Sequence, residues 1–100
     1  MISVIITKTN NLIKEIIVKG HANSNKYNKD LVCAGVSSIV SGTINAIGEI
    51  KGNVKYGVEN GYAIIQFEDD NTSQIIANTM IIQLKTIEES NQKFIKIIYS

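Results

Sequence analysis

Residues 30–50 read "DLVCAGVSSIVSGTINAIGEI", and the fold turns on this stretch. Val32, Val36, Ile39, Val40, Ile44 and Ile47 recur at three- and four-residue intervals, the spacing that lines one face of an α-helix. Asp30 stands immediately before the run as an N-cap candidate, which makes Cys33 the third helical residue. Gly35 and Gly42 lower the intrinsic helix propensity, so packing has to hold this helix in place.

On either side the pattern is that of strands. "ISVIIT" (2–7) and "IKEIIVK" (13–19) are short isoleucine- and valine-rich runs separated by "KTNN", which reads as a hairpin. After the first helix, "NVKYGVE" (53–59) and "YAIIQF" (62–67) flank Asn60-Gly61, a strong short hairpin signal. A second helix is expected from about Thr72 to Glu88, with Ile76, Met80, Leu84 and Ile87 on one stripe. Asn71 followed by Gln74 resembles a capping box. "FIKIIY" (94–99) closes the chain as a last strand. The order β-β-α-β-β-α-β predicts a two-layer α+β domain over residues 1–100, a mainly antiparallel sheet with two helices on one face.

Bulk properties narrow the function classes. One hundred residues leave no room for two independent cores, and a fold of this size buries roughly two-thirds of its unfolded surface, so a dimer would add stability. The net charge is +1, and all ten basic residues are lysine, which argues against a dedicated nucleic-acid site. No uninterrupted apolar run approaches the roughly 18 residues of a membrane span. The N-terminus places its charge after the apolar run, the reverse of a signal peptide. One cysteine makes no internal disulfide, and the expected location is cytoplasmic.

The chemistry-bearing residues are few. His21 and Cys33 are the only histidine and cysteine, twelve positions apart, joined by the polar loop Ala22, Asn23, Ser24, Asn25, Lys26, Tyr27, Asn28, Lys29. A thiol in the first turn of a helix meets unpaired N–H groups and the positive end of the dipole, which favour thiolate. A nearby imidazole then makes it a nucleophile, and first-turn amides at Cys33 and Ala34 are candidates for an oxyanion hole. The plainer reading is a small buried cysteine and a turn histidine. One cysteine with one histidine falls short of the ligands zinc needs, so no metal or other cofactor is expected.

"GHA", a short polar loop with an aromatic residue, and then "DLVCAGVS" (30–37) resemble the signature of the bacterial ribosomal-processing cysteine protease family. The resemblance implies His21 as general base, Cys33 as nucleophile, and Asp30 and Ser37 in supporting roles. It implies a substrate as well, the N-terminal extension of large-subunit ribosomal protein twenty-seven, cut after an aromatic pair and before small residues. A homodimer is implied too. The family pattern has glycine two positions before the aspartate, where this chain has Asn28. On this reading residues 22–29 form a lid over the substrate, and Tyr27 covers an apolar pocket. Substrate residues could lie along a sheet edge near Asn60-Gly61. The competing reading is a non-enzymatic ribosome-assembly factor that grips a ribosomal protein or rRNA; a general thiol esterase or amidase is a third.

Overall fold

The computed structural model describes residues 1–20 and 27–100, the side chains of 27–30 excepted. The elements run β1 (Ile2–Thr9), β2 (Leu12–Lys19), α1 (Tyr27–Lys51), β3 (Lys55–Glu59), β4 (Tyr62–Gln66), α2 (Asn71–Ser90) and β5 (Ile95–Tyr99). The β1–β2 turn is only Asn10-Asn11, both at positive φ, a backbone region that asparagine tolerates better than most residues. The strands therefore run closer to the turn than the apolar runs alone indicated.

The sheet order is β3-β4-β2-β1-β5. Every pairing is antiparallel except that of β5 with β1, where Ile2 pairs with Ile95 and Val4 with Ile97. Residues directly opposite one another share a face. Val4 opposite Val18, and Ile6 opposite Ile16, belong to one buried layer with Ala63, Ile65 and Ile95. Both helices pack on that side. α1 supplies Val32, Val36, Val40 and Ile47, and α2 supplies Ala77, Met80, Ile81 and Leu84. Ile39, Ile44, Ile76 and Ile87 sit partly buried at the margins of the same core. The α+β architecture expected from periodicity is the one observed.

Three local readings need correction. α1 starts at Tyr27, so Asp30 is its fourth residue rather than its cap, and Tyr27, Asn28 and Lys29 are helical rather than part of a loop. α2 is capped by Asp70, whose carboxylate accepts from the Ser73 backbone N–H and hydroxyl. Gln74 is not a capping-box partner; its buried amide bonds both the N–H and the C=O of Ile13, each at 2.8 Å. Finally, Leu31–Lys51 is long and apolar enough, by length and composition, to cross a membrane. Its alanines, glycines, serines and threonines interrupt an apolar run without adding charge. Here that helix lays its valines on the sheet as a core element.

Candidate active site

The helical layer does not cover the whole sheet. Tyr56 and Val58 of β3 pair with Ile65 and Ala63 and so point to the helix side, yet they are 56% and 57% exposed. β3 thus overhangs beyond α1 and leaves an open groove of ≈ 400 Å³. Val58, Tyr62 and Ala63 line it from the sheet, and Val36 and Val40 from α1. Cys33, Ser37 and Ser41 stand at four-residue intervals along the same flank of α1, so the thiol and two hydroxyls form one polar row beside an apolar floor. Cys33 is partly buried and in no disulfide.

The far end of the groove is set by a junction between strands. Gly20 follows β2, donates its N–H to the Gly61 carbonyl at 3.0 Å, and lines the groove with Cys33. Its φ of +104° lies where side chains are rarely tolerated, and a Cβ there would collide with the Met1 carbonyl oxygen. The β3–β4 turn meets this junction through Gly61, at φ 77°. Gly20 entered the sequence reading only as the first residue of "GHA", and Val58 and Tyr62 carried no signal of a site, because their relation to Cys33 arises only when the two hairpins pair.

Cys33 and Ser37 are brought together on the groove. Ala34 follows Cys33 on α1 and is exposed. Asp30 lies three residues before Cys33 in the same helix. His21, Ala22, Asn23, Ser24, Asn25 and Lys26 lie outside the described residues. With α1 beginning at Tyr27, Cys33 is its seventh residue, and the helical pattern pairs the Cys33 and Ala34 amides with carbonyls four residues back. The first-turn environment expected for the thiol therefore does not apply to this helix as it stands. Among the described residues, no cluster of three or more His, Cys, Asp or Glu side chains is placed to hold a metal ion.

A thiol beside an open, partly apolar groove suits a nucleophile that acts on a bound substrate. Known proteins place it more closely. The family model for cysteine protease Prp matches residues 1–96. The ribosomal processing cysteine protease Prp of Staphylococcus aureus (strain Mu50) is 34% identical over 92 residues, 87% of each chain. That of Bacillus subtilis (strain 168) is 31% identical over 87 residues, 78% of each chain. The crystal structure of the S. aureus protease in complex with a substrate peptide matches with a TM-score of 0.91 and 31% identity, covering 100% of both chains. The chain belongs to the cysteine protease Prp family, and it is a cysteine protease.

Proposed function

We propose that this protease removes the N-terminal extension of large-subunit ribosomal protein twenty-seven during ribosome maturation in the cytoplasm, with Cys33 as nucleophile and His21 as general base. One observation carries the assignment of the dyad. His21 is bonded to Gly20, and Gly20 lines the groove that holds Cys33. The chain thus leaves the groove wall at the residue before His21, at a glycine where a Cβ would collide with the Met1 carbonyl oxygen.

In the proposed reaction His21 takes the thiol proton and the Cys33 sulfur attacks the scissile carbonyl. The tetrahedral intermediate collapses as the C–N bond breaks, and the imidazolium protonates the leaving amine. Water, deprotonated by His21, then cleaves the thioester and restores the thiol. Oxyanion donors are the one part the present helix withholds. If the turn Tyr27–Asp30 unwinds, the helix starts at Leu31, and the Cys33 and Ala34 amides fall among the four N–H groups a helix leaves open. Asp30 would then flank the oxyanion, and Ser37 would offer its hydroxyl one turn beyond the thiol. With that turn unwound, residues 22–29 would act as a lid that correct substrate helps to close. The apolar floor of Val58, Ala63, Val36 and Val40 suits an aromatic substrate side chain. The partners of this reading are the extended ribosomal protein as substrate and a second copy of the chain, with no dedicated nucleic-acid site.

The test is an intact-mass time course with the N-terminally extended ribosomal protein beside the Cys33→Ala variant. Wild type is expected to cut one bond and Cys33→Ala none, with the variant still folded and still binding substrate. Equal rates from the two proteins would remove Cys33 from the chemistry. No cleavage by either, with a reduced thiol, would favour a binding factor that does not cut.

A further inference from the structure

The groove beside Cys33 has a polar wall and an apolar floor. Ser37 and Ser41 follow the thiol along the wall formed by α1, and both are exposed. Neither hydroxyl has a hydrogen-bond partner among the described residues. Thr43, on the same helix, instead donates its hydroxyl to Ile39 O at 2.7 Å. Alanine would fill nearly the same space as serine and favour the helix more, so α1 itself has no use for a hydroxyl at position 41. Below the row lie Val18, Val36, Val40, Val58 and Ala63.

We propose that Ser41 is a substrate-binding residue: the Cys33–Ser37–Ser41 row runs along an extended substrate, and the two hydroxyls hydrogen-bond the main chain of the third and fifth residues before the scissile bond. The inference rests on the cleavage reaction proposed above, and the contact at Ser41 is new to it. The spacing carries it. Four helical residues advance about 6 Å, and two residues of an extended chain advance about 6.6 Å. From Cys33 to Ser41 the two periods drift apart by only about 1 Å, which rotation of a hydroxyl absorbs. An extended chain presents the N–H and C=O of every second residue to one edge. With the scissile carbonyl at the Cys33 sulfur, the third and fifth residues before the cut then face Ser37 and Ser41. The substrate side chains stand across the plane of those bonds, alternately down to the valine floor and out to solvent.

The floor also sets the direction of the chain. Val36 and Val40 lie on the Ser41 side of the thiol, and the proposed substrate carries its aromatic pair immediately before the cut. Seating one ring of that pair on the floor lays the N-terminal side of the substrate along Ser37 and Ser41. Contacts of this kind read the main chain and not side-chain identity. They select a segment that is extended over five residues ahead of the cut, and they bind a folded or shorter one less well. Ser38 provides an internal comparison. It is exposed on the same helix but lines the groove between α1 and α2, away from Cys33.

The experiment is steady-state cleavage by wild type, Ser41→Ala and Ser38→Ala of a peptide that extends well beyond the fifth residue before the cut. Two further versions carry a backbone ester in place of the amide on one side or the other of that fifth residue. Wild type is expected to lose about three- to tenfold in kcat/KM on at least one ester peptide, mainly through KM. Ser41→Ala should show a loss of that size on the all-amide peptide and no further loss on the sensitive ester, and Ser38→Ala should match wild type throughout. Wild-type rates from Ser41→Ala, an ester effect that persists at full size in that variant, a loss confined to kcat, or an equal loss from Ser38→Ala would each overturn the inference. No cleavage by wild type would overturn the proposed reaction and this contact with it. Cleavage to which Ser41 is indifferent would overturn the contact alone.

Discussion

At the scale of single residues, Gly20 carries more than its size indicates. It follows β2 at positive φ, bonds Gly61, and holds the point from which the chain continues to His21. Gly20→Ala is expected to cost about 2 kcal/mol or more, because the new Cβ has both a disfavoured φ and a backbone oxygen in its way. A urea titration measures that loss. On the proposed dyad, cleavage should fall further than stability explains, because Gly20 lines the groove with Cys33 and precedes His21 in the chain. Val58 is the contrasting case. It lines the groove but is more than half exposed, so Val58→Asp should shift the melting temperature little. It should nevertheless lower kcat/KM by about tenfold, mainly through KM, because a carboxylate would meet an apolar substrate side chain. A thermal melt beside steady-state kinetics checks both halves of that expectation. Cys33 and His21 stood out in the sequence as candidates because each is the sole residue of its type and their flanking motifs are distinctive. Gly20 was legible only as part of "GHA" and Val58 not at all, because their relation to the thiol depends on strand pairing.

At the scale of elements, the start of α2 is an electrostatic junction. Asp70 accepts from Ser73 at 2.9 Å, and Lys51, in the last turn of α1, pairs with Asp70 and also with Glu68 at 3.1 Å. The Lys51 ammonium, followed by the Ser73 backbone N–H, pushes the Asp70 carboxyl down to about 2 from 3.8. The same pair, led by the Asp70 bond, raises Lys51 above its usual 10.5. Between these two Asp70 values the unfolded chain takes up a proton that the folded chain refuses. The contribution of Asp70 to stability is therefore complete above about pH 4 and is lost as pH falls towards 2. Asp70→Ala should lower the melting temperature near neutral pH through the lost cap. The gap in melting temperature between wild type and variant should close as pH is lowered through that window. A gap independent of pH would assign the loss to something other than the ionised cap. The sequence contained a cap signal here and placed it one residue late. Asp70, Asn71 and Thr72 are all competent caps, and only the direction in which the chain leaves β4 selects among them.

At the scale of the whole molecule, the junction of sheet and helices depends on one side chain. β4 ends at Gln66, so Ile13 has no strand partner on that side, and the Gln74 amide supplies both hydrogen bonds in its place while also donating to Glu68 O at 2.9 Å. Gln74→Ala should cost about 2 to 3 kcal/mol, since it leaves buried backbone groups unsatisfied. Chemical denaturation measures the loss, and amide exchange at Ile13 should accelerate with it. A loss below about 0.5 kcal/mol would mean that water replaces the amide there without cost. Sequence alone was enough to identify the elements, their order and the apolar face of each helix, because periodicity and turn residues are local properties that survive any packing. It also singled out the thiol and the histidine as candidates, because their motifs are contiguous. It did not locate the start of α1, the parallel pairing of β5 with β1, the role of Gln74 or the overhang of β3 that opens the groove. Each of the last three is an agreement between segments tens of residues apart. It is reached only when the burial of one isoleucine- and valine-rich layer sets the strand register and thereby leaves β3 beyond the reach of the helices.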